Sequence, residues 1–125
     1  MTDDKYERGL AKLAEIGSAG GDQHLADLNR IAPDLRRLAV EFVFGDLYSR
    51  DDLTLRQRQL VVIGALVAIG DTGPQLAAHV NIALNAGLTE QEIAGAVLQV
   101  APYAGFPRVI NAMGVVATTF DDRVS

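Results

Sequence analysis

His79 is the side chain in this sequence best suited to moving a proton. It stands within an apolar stretch, flanked by Ala77, Ala78, Val80 and Ile82, with Gln75 and Ala83 one turn away on its helical face. A free imidazole titrates at about pH 6.5, so a partly buried one can give or take a proton near neutrality. The same surroundings suit a histidine that is simply hydrogen-bonded at a helix seam or subunit contact. Arg58, just ahead of a fully apolar run, can hold a substrate carboxylate by a bidentate pair, or pair with Asp51 or Asp52. Asp46 and Tyr48, in Phe44-Gly45-Asp46-Leu47-Tyr48, offer a carboxylate and a phenol near a helix end. Either can line a cleft, and Asp46 can equally be solvated or capping. Arg108 and Asn111 open the last helix, where backbone N–H groups favour anions; Arg108 reads equally as a surface charge. His24, in a polar stretch, is expected to be exposed.

Other chemistries lack their residues. There is no cysteine, which removes disulfides, zinc-thiolate sites, thiol nucleophiles and redox pairs together. Gly64, Gly70 and Gly73 have neither the G-x-G-x-x-G spacing nor a Gly-Lys-Ser/Thr ending, so no phosphate cradle forms. No serine sits in a Gly-x-Ser-x-Gly elbow. His24 and His79 are far apart in the chain, so no metal site is expected.

The 125 residues fit one domain, residues 1–125, large enough to bury a core without covalent staples. Hydrophobic residues at 49% and charged residues at 22% describe a globular chain. Eleven Lys+Arg against 16 Asp+Glu give a net charge of −5 and a pI near 4.8. Such a chain repels a phosphate backbone and gives no sign of binding an anionic membrane, so neither nucleic acid nor a membrane is an expected partner. The start of the chain lacks the basic and apolar regions of a signal peptide. The longest apolar run, Leu60 to Ile69, is about half the ~20 residues of a bilayer span. A cytoplasmic protein is expected.

The punctuation along the chain predicts helices throughout. Thr2 or Asp3 can cap a first helix carrying Tyr6, Leu10, Leu13 and Ile16, which the Gly17–Gly21 run ends in a flexible joint. Pro33 is a good first-turn residue for a helix whose apolar stripe is Leu35, Leu38, Ala39, Phe42, Val43 and Leu47. Thr54 and Gln57 have capping-box spacing and open a helix that becomes apolar all round after Leu60, implying burial on several sides. Gly70–Gly73 break it. Thr72 and Pro74 start another that runs to Gly87, and Thr89 with Glu92 forms a second capping box ahead of Ile93, Ala96, Val97 and Val100. Pro102, Gly105 and Pro107 interrupt before a last helix to about Thr119. The expected fold is an all-α bundle of six to seven helices.

The apolar runs Leu60–Ile69 and Ala94–Ala101 carry more apolar surface than one small bundle covers. Alanines and glycines in the helices also permit close approach, so a symmetric homo-oligomer is expected.

Several stretches together resemble the carboxymuconolactone decarboxylase family. They are Phe44–Arg50, Leu55–Val61, Ala68–Asp71, Gln75–His79, Ala83–Thr89 and Ala101–Pro107, with a weaker likeness at Tyr6–Gly9. The resemblance implies an alkylhydroperoxidase-like fold, all-helical, assembled as a trimer or hexamer with clefts near subunit contacts. One branch of that fold uses a Cys-x-x-Cys-x-x-x-His motif; counted back from His79, its cysteine positions are Thr72 and Gln75, and Gln59 stands at its relay glutamate. Thiol peroxidase chemistry is therefore excluded. The decarboxylase branch needs neither cysteine nor cofactor and acts on a butenolide such as γ-carboxymuconolactone. Loss of CO₂ from the ring carbon beside oxygen sends electrons through the alkene into the lactone carbonyl. The resemblance makes His79 the proton donor or oxyanion partner, Arg58 a carboxylate anchor, and Asp46 and Tyr48 cleft residues. Asn111 stands where those decarboxylases carry a second histidine; an amide donates a hydrogen bond but does not shuttle protons at neutral pH. A related decarboxylation, a lactone isomerisation, or a non-catalytic small-ligand or assembly role on the same fold stays open beside it.

Overall fold

Side-chain caps and glycine breaks set where the helices start and stop, and no strand forms among the described residues. The computed structural model describes residues 4–17 and 19–124. In chain order come α1 (Lys5–Ile16), α2 (Ala19–Asp27), α3 (Leu35–Ala39), and a π-helical segment (Val40–Leu47) that runs straight on from α3. They are followed by α4 (Leu55–Ile69), α5 (Gly73–Asn85), α6 (Glu90–Gln99), α7 (Ala101–Ala104) and α8 (Phe106–Val124). The fold is all-α, as the periodicity predicts. No helix among the described residues is long and apolar enough to cross a membrane. The chain divides into two compact units, Met1–Thr54 and Leu55–Ser125.

In the first unit α1 packs on the π-helical segment. Asp4 caps α1 by accepting from the Glu7 N–H at 3.1 Å; Thr2 and Asp3, the expected caps, lie outside the described residues. Gly9 lets the two elements touch, because a Cβ there would overlap the Val40 carbonyl oxygen. The expected joint after Gly17 is instead the start of α2; Ser18 lies outside the described residues. Glycine weakens a helix by about 1 kcal/mol against alanine without forbidding it, and a Gln23–Asp27 hydrogen bond of 2.8 Å spans the following turn.

Two further expectations change here. The helix begins at Leu35 rather than Pro33, because residues around Pro33 are held in a turn by the Leu35 N–H on the Ala32 carbonyl. The predicted inner stripe lies largely outside: Leu38 and Phe42 are 63% and 60% exposed, whereas Val40, Phe44 and Tyr48 are buried. Inward positions four apart follow from the wider π turn, in which the Tyr48 N–H reaches the Val43 carbonyl at 2.8 Å. A stripe drawn at 3.6 residues per turn has the wrong phase there.

In the second unit α4, α5, α6 and α8 surround a core of Ile63, Val67, Leu76, Val80, Ala83, Ile93, Val97, Val109 and Val116. The capping box at α6 forms as its spacing predicts: Thr89 Oγ1 accepts from the Glu92 N–H at 3.0 Å, and Glu92 Oε1 accepts from the Thr89 N–H at 2.9 Å. The apolar α4 is buried along one stripe only, Gln59, Ile63 and Val67, while Val61 and Ile69 stay exposed within the chain. Its all-round apolarity therefore exceeds what the chain itself covers. Past the expected end at Thr119, α8 runs on to Val124. The Thr119 hydroxyl donates back to the Val115 carbonyl at 2.8 Å, a local bond that keeps threonine within a helix. Arg123 then ties the last turn to Asn81 and Asn85 of α5.

Candidate functional site

Two polar features stand out in the second unit, one deep between α4 and α5 and one in a cleft where α4, α5 and α8 meet. The first grows from the α4 stripe. Ile63 and Val67 face the core, and the same stripe one turn earlier presents Gln59, which is 0% exposed. A buried amide needs partners, and His79 on the facing α5 supplies one: His79 Nδ1 lies 2.9 Å from Gln59 Oε1. An amide oxygen only accepts, so Nδ1 carries the proton and Nε2 of the neutral ring keeps its lone pair. Nε2 meets no partner among the described residues. No buried side-chain nitrogen or oxygen lacks a hydrogen bond among them either, so this nitrogen reaches the surface. Burial pushes the imidazole below its ordinary pKa, because the charged form loses solvation.

The second feature is a cleft of about 280 Å³. Leu66, Val67, Leu76, Ala112 and Val115 give it an apolar floor, and Asp71, Thr72, Arg108 and Asn111 are its polar lining. It exists because α4 stops abruptly: Gly70 and Asp71 take φ of 78° and 54°, a left-handed pair that turns the chain into α5. Thr72 fastens the turn by donating its hydroxyl to the Leu66 carbonyl at 2.8 Å. Arg108 reaches across from α8 and donates from Nη1 to the Ile69 carbonyl at 2.6 Å, closing the C-terminal end of α4.

Of the residues singled out in the sequence, Arg58, His79, Arg108 and Asn111 belong to the second unit. Arg58 is half-buried on α4 beside Gln59, and Asp52, one of its candidate partners, is paired with Arg50 at 2.9 Å. Asn111 is exposed and lines the cleft. Asp46 and Tyr48 belong to the first unit. The Asp46 carboxylate is held by Arg8 at 3.2 Å and Lys5 at 3.4 Å, and Tyr48, 8% exposed, stacks on Phe44 with ring centroids 5.1 Å apart. His24 is exposed on α2, as expected. No group of three or more His, Cys, Asp or Glu side chains gathers to hold a metal among the described residues. Sequence reasoning did not single out Asp71 or the cleft. Its available signal was the Gly70-Asp71 break, but only folding brings the start of α8 beside that break.

Residues 33–118 match the sequence model of the Carboxymuconolactone decarboxylase family. The 4-carboxymuconolactone decarboxylase of Acinetobacter baylyi is 30% identical over 119 residues, covering 94% of this chain and 88% of that protein. The nitrosuccinic acid decarboxylase of Metarhizium robertsii is 36% identical over 89 residues, covering 71% of this chain and 62% of that protein.

Proposed function

Because the chain belongs to the carboxymuconolactone decarboxylase family, we propose that it is a cofactor-free carboxy-lyase acting on a small carboxylated lactone such as 4-carboxymuconolactone, or on a related acid. The observation that carries this reading is the Gln59–His79 hydrogen bond, which orients a proton-carrying ring and leaves its second nitrogen at the surface. Both relatives named above are decarboxylases, which supports the reaction class.

In the proposed reaction the bond between the ring carbon and its carboxylate breaks and CO₂ leaves. The electron pair passes through the ring alkene to the lactone carbonyl oxygen, so the substrate supplies its own electron sink. The enolate formed must then take one proton on carbon. Neutral His79 has no proton on Nε2 to give. Binding an anionic substrate nearby favours the charged ring and so loads that nitrogen with a proton. Nδ1 keeps its bond to Gln59 in both states, so the ring does not have to turn between them. Arg58, beside Gln59 on α4, is the proposed anchor for a carboxylate, and Asn111 a hydrogen-bond donor.

The test is CO₂ release and ultraviolet loss of 4-carboxymuconolactone, followed against pH. Burial lowers the pKa of His79 in the free protein, and the active form is the protonated ring. Hence kcat/KM is expected to be level at low pH and to fall with rising pH, turning over below pH ~6.5. The turning point in kcat is expected at higher pH, because the bound anion raises the pKa. A kcat/KM that rises with pH through this range would mean that His79 works as a neutral base, and would favour the lactone isomerase reading. No turnover by folded protein leaves the non-catalytic binding or assembly reading.

For the assembly we propose a homo-oligomer, a trimer or hexamer. Val61, Ile69, Leu98, Phe106 and Ile110 are all exposed in the second unit, an amount of apolar surface that a second copy can cover. Sedimentation at micromolar protein is expected to give a multiple of 13.3 kDa, and a single 13.3 kDa species would overturn it.

A further inference from the structure

We propose that the cleft between α4, α5 and α8 is a carboxylate subsite built on Arg108, and, resting on the decarboxylase reading, that it holds the carboxylate the substrate keeps. Arg108 lines the cleft and commits one N–H to the Ile69 carbonyl. It forms no ion pair and no second hydrogen bond among the described residues, so its Nε and Nη2 donors are left for a ligand. The one acidic side chain in the lining, Asp71, is not paired with it.

The seat of the guanidinium is shaped by the backbone. A Cβ on Gly70 would overlap Arg108 Nη1, and Gly70 also needs its positive φ to end α4. The missing side chain at position 70 and the bond to Ile69 therefore set the cation at one place, a preorganised partner for a planar anion. Around it the lining divides by chemistry: Thr72 and Asn111 are polar, and Leu76, Ala112 and Val115 are apolar. A carboxylate carried on a small apolar skeleton matches that division. Thr72 immediately precedes the helix that carries His79, and Leu76 lies on it; His79 stands three residues beyond Leu76, about 4.5 Å further along the axis. One helix thus serves both the anchoring cleft and the proton-carrying ring.

The experiment titrates ¹⁵N-labelled full-length protein with succinate, and separately with its neutral diamide. Succinate is expected to shift the Arg108 Nε–H and Asn111 amide signals saturably, and the diamide to leave them in place. Arg108→Met is expected to weaken succinate binding about tenfold or more. Asp71→Asn, which removes a like charge from the lining, is expected to tighten it about two- to fivefold. Gly70→Ala, which displaces the guanidinium without removing it, is expected to weaken it, and it decides the matter should Arg108→Met fail to fold. Signals that move only elsewhere, equal response to the diamide, or weaker binding in Asp71→Asn would overturn the proposal. A chain that binds succinate here but releases no CO₂ from the lactone loses the decarboxylase reading and keeps the carboxylate site. A chain whose turnover and KM are unchanged by Arg108→Met loses the subsite and keeps the decarboxylase.

Discussion

His79→Ala is expected to lower kcat/KM by about 10²-fold or more, the usual scale for a positioned acid–base group. The expectation rests on what the ring does that its neighbours do not. Gln59 can orient a proton but not move one, and Asn111 offers an amide where a second titrating group would be needed to share the work. Removing the ring also deprives buried Gln59 of a hydrogen-bond partner, at a cost of about 1–3 kcal/mol if nothing replaces it. His79→Gln separates the two effects, since its amide can still meet Gln59 but cannot titrate. It is expected to unfold close to the wild-type midpoint and to be as inactive as the alanine variant. Steady-state assays with 4-carboxymuconolactone beside thermal unfolding read both quantities. Activity retained in either variant would take His79 out of the mechanism.

The largest effect on stability is expected from Ile63→Ala. Ile63 is 0% exposed at the centre of the α4 stripe, among the residues of α5, α6 and α8 that form the core of the second unit. Cutting an isoleucine to alanine in such a place costs about 2–5 kcal/mol, from lost burial and from the cavity left behind. Domains of this size are typically stable by only about 5–15 kcal/mol, so the loss is a large share of the total. Urea unfolding followed by circular dichroism should show a lower midpoint with an unchanged slope. A loss below about 1 kcal/mol would mean that the neighbouring helices close over the gap. Gln59 lies one turn before Ile63 on the same face, so the two variants part stability from chemistry. Ile63→Ala keeps the Gln59–His79 pair on a weakened scaffold, whereas His79→Gln keeps the scaffold and loses the proton carrier.

Local signals made much of the fold legible. The Thr89–Glu92 capping box, the Gly70–Asp71 break and the positions of Ile93 and Val97 depend on neighbours within a turn or two, and each forms as its spacing predicts. The first unit was harder to read. The π turn after Ala39 shifts the inward positions to Val40, Phe44 and Tyr48, and a search at helical period has no means of anticipating a change of pitch. The end of α8 likewise has no local signal, because Thr119 satisfies its own hydroxyl and Arg123 gains distant partners on α5.

For the candidate site, the sequence by itself determined the cast: one histidine in an apolar helix, no cysteine, and a family likeness spanning most of the chain. Only the tertiary structure decided the pairings. Gln59 and His79 are far apart in sequence and meet because α4 packs on α5, and packing is also what removes the water that would hold the ring at its ordinary pKa. Arg108 and Gly70 are likewise distant, and nothing near either residue foretells that one leaves room for the other. Helix ends are set by bonds a few residues long, which a sequence displays directly. A site is set by which helix faces meet, and that depends on packing summed over the whole core.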